Sequence, residues 1–242
     1  MYVLIAAAGQ GKRMGYHRNK LLLELQGRPI LAWTLERVLQ AQPTWVGVLA
    51  QPGDWPEIAR ILAQLAPAIP VQLIPGGDTR QASVWNGLQA LPAAADTVLI
   101  HDGARCLASP ALFHRCQEAL QTAVGVIAAV PVKDTIKVVA QPPLIAQTPD
   151  RTHLWAAQTP QGFQVSVLKS CHIQALAHHW QVTDDAALLE RCQYPVQVVL
   201  GEDTNLKITT PPDLLIAQAL LTHGLQRQTQ LQPLSLPVEF SS

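Results

Sequence analysis

The chain has 242 residues, with 17 Lys and Arg balanced against 17 Asp and Glu, so its formal net charge is zero. That length can bury a sizeable core and suits one large α/β domain or two small ones, and the absence of a basic excess argues against nucleic acid as a partner. No apolar stretch approaches the ~18 residues that read as a membrane span, and no charged leader precedes the first apolar run.

In chain order, the run Val3-Leu4-Ile5-Ala6-Ala7-Ala8 predicts a buried strand that breaks into Gly9-Gln10-Gly11-Lys12-Arg13-Met14 and reaches Lys20. A strand opening into a glycine-bearing loop with cations suits phosphate: main-chain N–H groups can approach an anion closely, and Arg13 and Lys20 supply charge. Two familiar designs are excluded. A dinucleotide fingerprint needs a third glycine where Met14 stands, and the second predicted strand ends in Gln51 rather than a ribose-binding acid. A phosphate-binding Walker loop needs Gly at Ala6 and Ser or Thr at Arg13. The loop resembles the signature of nucleotidyltransferases, which couple a nucleoside triphosphate to a phosphorylated sugar or polyol.

Further apolar runs at Val46–Ala50, Val71–Ile74, Thr97–His101 and Val126–Val130 alternate with stretches of helical period. Buried strands alternating with helices predict crossover units and a mostly parallel sheet. Helix starts are marked by Asp54 with Glu57, Asp78 with Gln81, Ser109-Pro110 and Thr210 with Asp213, which predict helices near 30–42, 56–65, 80–91, 110–122 and 212–223.

After Pro131 the pattern changes. Residues 132–148 predict a projecting pair of strands, Thr135–Val139 and Leu144–Gln147, turned by Pro142-Pro143. A lone hairpin is marginal in water, so its apolar side chains call for a partner, whether a second chain or the rest of its own domain. Helices near 165–178 and 184–192 follow, then a strand at Val196–Leu200 and the segment Asn205-Leu206-Lys207-Ile208, with Lys207 leaving a strand. From about 225 to 242 the chain is rich in Gln, Pro and Ser without period, and is expected to be a disordered tail.

Cys106, Cys116, Cys171 and Cys192 form no C-x-x-C pair and read as reduced thiols, which points to a cytoplasmic protein. His172, His178 and His179 lack metal-ligand spacing and read as a polar helix end followed by a loop.

Three more clusters fall where an open parallel sheet keeps its ligands, at the carboxyl ends of strands. Gly76-Gly77-Asp78-Thr79-Arg80-Gln81-Ala82-Ser83 offers a side-chain-free surface for a base and a positive helix end, although a helix cap would also explain Asp78. His101-Asp102-Gly103-Ala104-Arg105 places an acid that could coordinate a divalent cation or orient a hydroxyl, or simply pair with Arg105. Asn205-Leu206-Lys207 adds a cation.

Taken in order, A-A-A-G-x-G-x-R-M, Lys20, G-G-D-x-R-x-x-S, H-D-G-A-R, P-V-K-D-T, T-P-Q-x-F and D-x-N-x-K closely resemble the 2-C-methyl-D-erythritol 4-phosphate cytidylyltransferase family from residue 1 to about 220. The resemblance implies a single α/β nucleotidyltransferase domain, 1–224, with a mostly parallel, Rossmann-like sheet flanked by helices and a β-arm at about 132–153. It also implies a homodimer, magnesium, CTP and a polyol phosphate. By matching position, Ala7, Ala8, Gly9 and Gly11 would face the nucleotide, with Arg13 and Lys20 on its phosphates as the catalytic cations. Gly77, Asp78 and Ser83 would read cytosine and ribose, with Gly103 near the ribose. Asp102 would sit between metal, phosphate and acceptor. Thr135 and Arg151 would bind the acceptor of the neighbouring subunit, completed by Thr159 and Lys207.

Three positions depart from the family pattern: Asn19 where proline is common, which would loosen the loop; Cys106 where proline is usual; and Gly103 where alanine is usual, a change expected to affect packing more than chemistry. A ribitol 5-phosphate cytidylyltransferase and a catalytically silent nucleotide-binding module remain open as alternatives.

Overall fold

The computed structural model describes residues 1–9 and 19–230, with the side chains of 224–230 outside the description. Its centre is a seven-stranded sheet built from β1 (Tyr2–Ala6), β4 (Trp45–Ala50), β5 (Val71–Pro75), β6 (Thr97–Asp102), β7 (Gly125–Pro131), β10 (Trp155–Gln164) and β11 (Gln197–Leu200). The strand order is β11-β7-β10-β6-β1-β4-β5. All neighbours run parallel except β10, which lies antiparallel between β6 and β7. The protein is therefore α/β with a mostly parallel sheet.

Side chains alternate between the two faces of the sheet, as the pleat requires. Val3, Ile5, Val46, Val48 and Leu99 face α1 (Ile30–Gln40), α2 (Trp55–Leu65), α4 (Pro110–Ala119) and α7 (Pro211–Gln230). Leu4, Trp45, Leu49, Val98 and Ile100 face α3 (Arg80–Ala90), α5 (Val165–Ala177) and α6 (Asp185–Arg191). The strands are near-continuous apolar runs because both faces are covered. A small hairpin, β2 (Glu24–Leu25) and β3 (Arg28–Pro29), turns at Gln26 and Gly27, both with positive φ. No helix among the described residues is long and apolar enough to cross a membrane.

The arm is a separate two-stranded sheet, β8 (Val138–Gln141) and β9 (Leu144–Gln147). Its strands are exposed throughout, and Val138, Val139, Leu144 and Ile145 all present apolar surface to solvent.

Several expectations are revised. Strand β10 was not foreseen at all, because Pro160 and the polar Gln158, Thr159 and Gln161 interrupt its apolar pattern. The first arm strand starts at Val138, so Thr135 precedes it. Asn205–Ile208 forms no strand; it is held as a loop by the Ile208 N–H donating to the Ala104 carbonyl at 2.9 Å. Helix α7 continues to Gln230, past the expected end near 223, and positions 231–242 of the expected tail lie outside the described residues. The caps also differ: Ser109 accepts from the Leu112 N–H as expected, but Thr79, not Asp78, caps α3, and Asp54 makes no cap hydrogen bond.

Candidate active site

The site lies along the carboxyl ends of β1, β6 and β5, where parallel strands stop and their loops face one another. Beyond β1, the Ala7 N–H donates to the Leu49 carbonyl at 2.8 Å, and Gly76 N–H after β5 donates to the Ala50 carbonyl at 2.8 Å. The two loops touch, since a Cβ on Gly76 would run into the Cβ of Ala8. Gly77 is packed just as closely: a Cβ there would come within 2.6 Å of Ala82 Cβ and 3.0 Å of the Ala82 carbonyl carbon. Ser83 lies buried beneath this loop, where its hydroxyl accepts from the Gly77 N–H at 3.0 Å and donates to the Thr79 carbonyl at 2.8 Å. Ser83 thus shapes the glycine surface from below. Asp78 is exposed beside it, and the cap that could have explained it belongs to Thr79, whose Oγ1 accepts from Ala82 N–H at 3.0 Å.

Asp102 ends β6 at the centre of a cluster of cations. Its carboxylate lies 2.8 Å from Lys207 Nζ, 3.5 Å from Arg80 Nε and 3.7 Å from Arg105 Nε. Burial alone would raise its pKa, but Lys207, Arg80 and Arg105 outweigh burial and hold the carboxyl well below the usual range. Arg80 in turn donates Nη1 to Asp185 at 2.7 Å; burial opposes its charge, yet Asp185 and Asp102 keep it firmly protonated. Arg105 donates to the Asn205 carbonyl at 2.7 Å, so it also fixes the loop that carries Lys207. Lys20 joins this group from the other side, donating Nζ to the Ile208 carbonyl at 2.6 Å, one residue beyond Lys207.

Strand β10 completes the floor. Its register with β7 shifts between Ala157 and Gln161, and the irregular stretch turns Gln158 and Thr159 into the interior. Thr159 Oγ1 accepts from the Asp102 N–H at 2.9 Å and donates to His101 Nδ1 at 3.1 Å. The opposite ring nitrogen, Nε2, lies 3.1 Å from the Arg105 carbonyl, which can only accept, so the proton is assigned to Nε2. Burial pushes the His101 pKa down to about 4, so the ring is neutral at pH 7 and serves as a spacer between Thr159 and the Arg105 turn. Gly103 follows; a Cβ there would lie 2.7 Å from Leu21 Cδ1 and 3.1 Å from the Ala6 carbonyl oxygen.

The structure therefore brings Ala7, Ala8, Gly9, Lys20, Gly77, Asp78, Ser83, Asp102, Gly103, Thr159 and Lys207 to one edge of the sheet. Gly11 and Arg13 lie outside the described residues. Thr135 and Arg151 stand apart on the arm: both are exposed, and Arg151 Nη1 donates to the Lys133 carbonyl at 2.7 Å. Arg80, Arg105 and Asp185 were not anticipated as site residues. The two arginines stood inside the quoted motifs, but Asp185 is joined to Arg80 only by the fold, 105 positions away.

Asp102 is a poor ligand for a metal ion, because three cations already crowd its carboxylate. Among the described residues no group of three or more His, Cys, Asp or Glu side chains could hold a metal. Cys106 and Cys116 are buried and pushed up to about 12 by burial, which leaves them protonated and unreactive.

The 2-C-methyl-D-erythritol 4-phosphate cytidylyltransferase (IspD) family model matches residues 1–223. A protein of that name from Microcystis aeruginosa is 61% identical over 226 residues, covering 93% of this chain and 100% of the relative. Another from Thermosynechococcus vestitus is 58% identical over 229 residues, covering 94% and 98%. Among solved structures, the 4-diphosphocytidyl-2C-methyl-D-erythritol synthase of Anaerococcus prevotii superposes with a TM-score of 0.81 at 33% identity, covering 91% of this chain and 97% of the other. A close-packed glycine loop after β5, an acid at the end of β6 held among three cations and a two-stranded arm thus occur together in a chain that belongs to the 2-C-methyl-D-erythritol 4-phosphate cytidylyltransferase family.

Proposed function

We propose that this enzyme transfers the cytidylyl group of CTP to 2-C-methyl-D-erythritol 4-phosphate, giving 4-diphosphocytidyl-2-C-methyl-D-erythritol and pyrophosphate in non-mevalonate isoprenoid synthesis. The observation that carries this reading is the cation cluster around Asp102, set beside the Gly77 loop in a chain of zero net charge. Positive charge concentrated at one edge of the sheet suits two phosphorylated reactants that must meet there.

In the reaction, an oxygen of the acceptor phosphate attacks the α-phosphorus of CTP in line. A new P–O bond forms as the bond to the β-phosphate bridge breaks, and pyrophosphate leaves with that electron pair. The barrier the protein can lower is mutual repulsion of the anions and the charge growing on the α-phosphoryl oxygens. Lys20 and Arg13 serve that charge, while Lys207 and Arg105, held against Asp102, orient the attacking phosphate. Asp102 keeps these cations in place. No general base is needed, since a phosphate monoester loses its second proton with a pKa of about 6. The neutral His101 is already fully engaged with Thr159 and Arg105.

Gly77, Asp78, Ser83, Gly103 and the Ala7–Gly9 turn form the nucleotide side of this proposal. Thr135, Arg151, Thr159 and Lys207 form the acceptor side. Magnesium enters as a companion of the triphosphate rather than as an ion held by Asp102, and no step above depends on it. The exposed apolar arm supports a homodimer in which Thr135 and Arg151 reach the partner's site. The catalytic unit is taken as 1–224 with the arm at 132–153, in the cytoplasm. Phosphorus NMR of a reaction with CTP and the methylerythritol phosphate tests the chemistry: the reading expects a cytidine-linked diphosphate diester and free pyrophosphate. CMP accumulating without a diester would contradict it.

A further inference from the structure

We propose that Asn19 is a positioning residue for Lys20, acting as a hydrogen-bonded clamp that fixes the turn from which the lysine projects. This inference rests on the reading of Lys20 as a catalytic cation. Three observations carry it. Asn19 is 6% exposed, and its side chain is bonded in three directions. Nδ2 donates to the Ala7 carbonyl at 2.8 Å and to Asp54 Oδ2 at 2.8 Å, while Oδ1 accepts from the Leu21 N–H at 3.1 Å. One amide thereby joins the end of β1, the loop after β4 and the Lys20 turn. The link to Leu21, two residues on, is the local bond by which Asn stabilises a turn.

Asp54 makes no cap hydrogen bond at its helix start, and its carboxylate serves the clamp instead. From below, Leu21 sits over Gly103, where even a methyl group would come within 2.7 Å of its Cδ1. The turn itself, Lys20–Leu22, is closed by Leu22 N–H to the Asn19 carbonyl at 3.0 Å and Leu23 N–H to the Lys20 carbonyl at 3.1 Å. With Lys20 Nζ on the Ile208 carbonyl at 2.6 Å, the lysine is fixed at its backbone and at its amine. At Asn19 itself, the departure from proline exchanges the constraint of a ring for that of hydrogen bonds.

The backbone supplies the decisive variant. Asn19 has φ −58° and ψ 117°, values a proline ring favours without strain. Asn19→Ala should lower kcat about tenfold or more, since small misplacements of a catalytic group are costly, while KM for CTP changes less than kcat. Asn19→Pro should recover most of that loss. Asp54→Ala should lower kcat less, and adding it to Asn19→Ala should cause no further loss, because the two share one bond. Hydrogen exchange at the Leu21 and Leu22 amides should quicken in Asn19→Ala. Turnover at the normal rate in Asn19→Ala, alongside a dead Lys20→Ala, would overturn the inference. So would Asn19→Pro being no better than Asn19→Ala. Full activity in Lys20→Ala would instead remove the lysine from the mechanism, and the catalytic half of this inference with it, while the exchange rates would still report the clamp.

Discussion

Lys20 and Arg13 carry the sharpest predictions at the scale of single residues. In the proposed mechanism either replacement by alanine removes a cation that offsets developing negative charge, so turnover should fall roughly a hundredfold to a thousandfold by analogy with loss of an oxyanion donor. Steady-state kinetics with both substrates saturating measures this, and near-normal kcat would remove that residue from the mechanism. Ser83 makes a different prediction, because its hydroxyl supports the Gly77 loop from within. Ser83→Ala should raise KM for CTP more than it lowers kcat; the reverse split would show that the hydroxyl acts in the reaction itself. Sequence made the motif arginines visible, and with them the pairing of Arg105 with Asp102, but not their distant partners. Arg80 reaches Asp185 because α3 and α6 cover the same face of the sheet, and Asn19 reaches Asp54 because β1 and β4 lie side by side.

Strand β10 shows at the element scale where sequence reading stops. Buried parallel strands such as β1 and β4 announce themselves as apolar runs, and their helices by period and caps. The β10 segment reads W-A-A-Q-T-P-Q-G-F-Q, and its polar residues bond across the fold: Gln158 to Glu202 and Asn205, Thr159 to Asp102 and His101, and Gln161 to Asp184. Buried hydrogen bonding has displaced the strand signal. Thr159→Val tests this arrangement: it strips a partner from both the Asp102 N–H and His101 Nδ1 while keeping the side chain's size. The unsatisfied groups should cost about 1–3 kcal/mol in urea unfolding. An unchanged midpoint would show that the hydroxyl bridge carries no stability. The arm poses the other question of this scale. Mixing an inactive Lys20→Ala chain with an inactive Arg151→Ala chain should restore activity if each arm completes the partner's site. No recovery in verified heterodimers would place the acceptor site within one chain.

The whole molecule carries its charge unevenly: neutral overall, with Lys207, Arg80 and Arg105 gathered around Asp102. That arrangement leaves a signature in stability against pH. His101 is neutral when folded, with its pKa pushed down to about 4 from an ordinary value near 6.5. Below 6.5 the unfolded chain therefore binds a proton the folded chain refuses, so stability falls as pH drops from 6.5 toward 4. Asp102 acts in the same direction further down. Its depressed folded pKa gives stability that is present above the ordinary carboxyl value and is lost as pH falls below it. Thermal unfolding should thus show a Tm decline between pH 6.5 and 4 that flattens in His101→Asn; an identical slope in that variant would contradict the buried neutral ring.

The family, the α/β class and the order of the motifs were legible because each is written in local sequence. The clamp on Lys20, the cation cage and the antiparallel strand are products of packing across the sheet. The measurement that bears most directly on the account is pyrophosphate release by the purified protein with CTP and magnesium, comparing 2-C-methyl-D-erythritol 4-phosphate with ribitol 5-phosphate. The account predicts release with the methylerythritol phosphate and little with ribitol phosphate. Release with ribitol phosphate alone, or with neither acceptor, would contradict it.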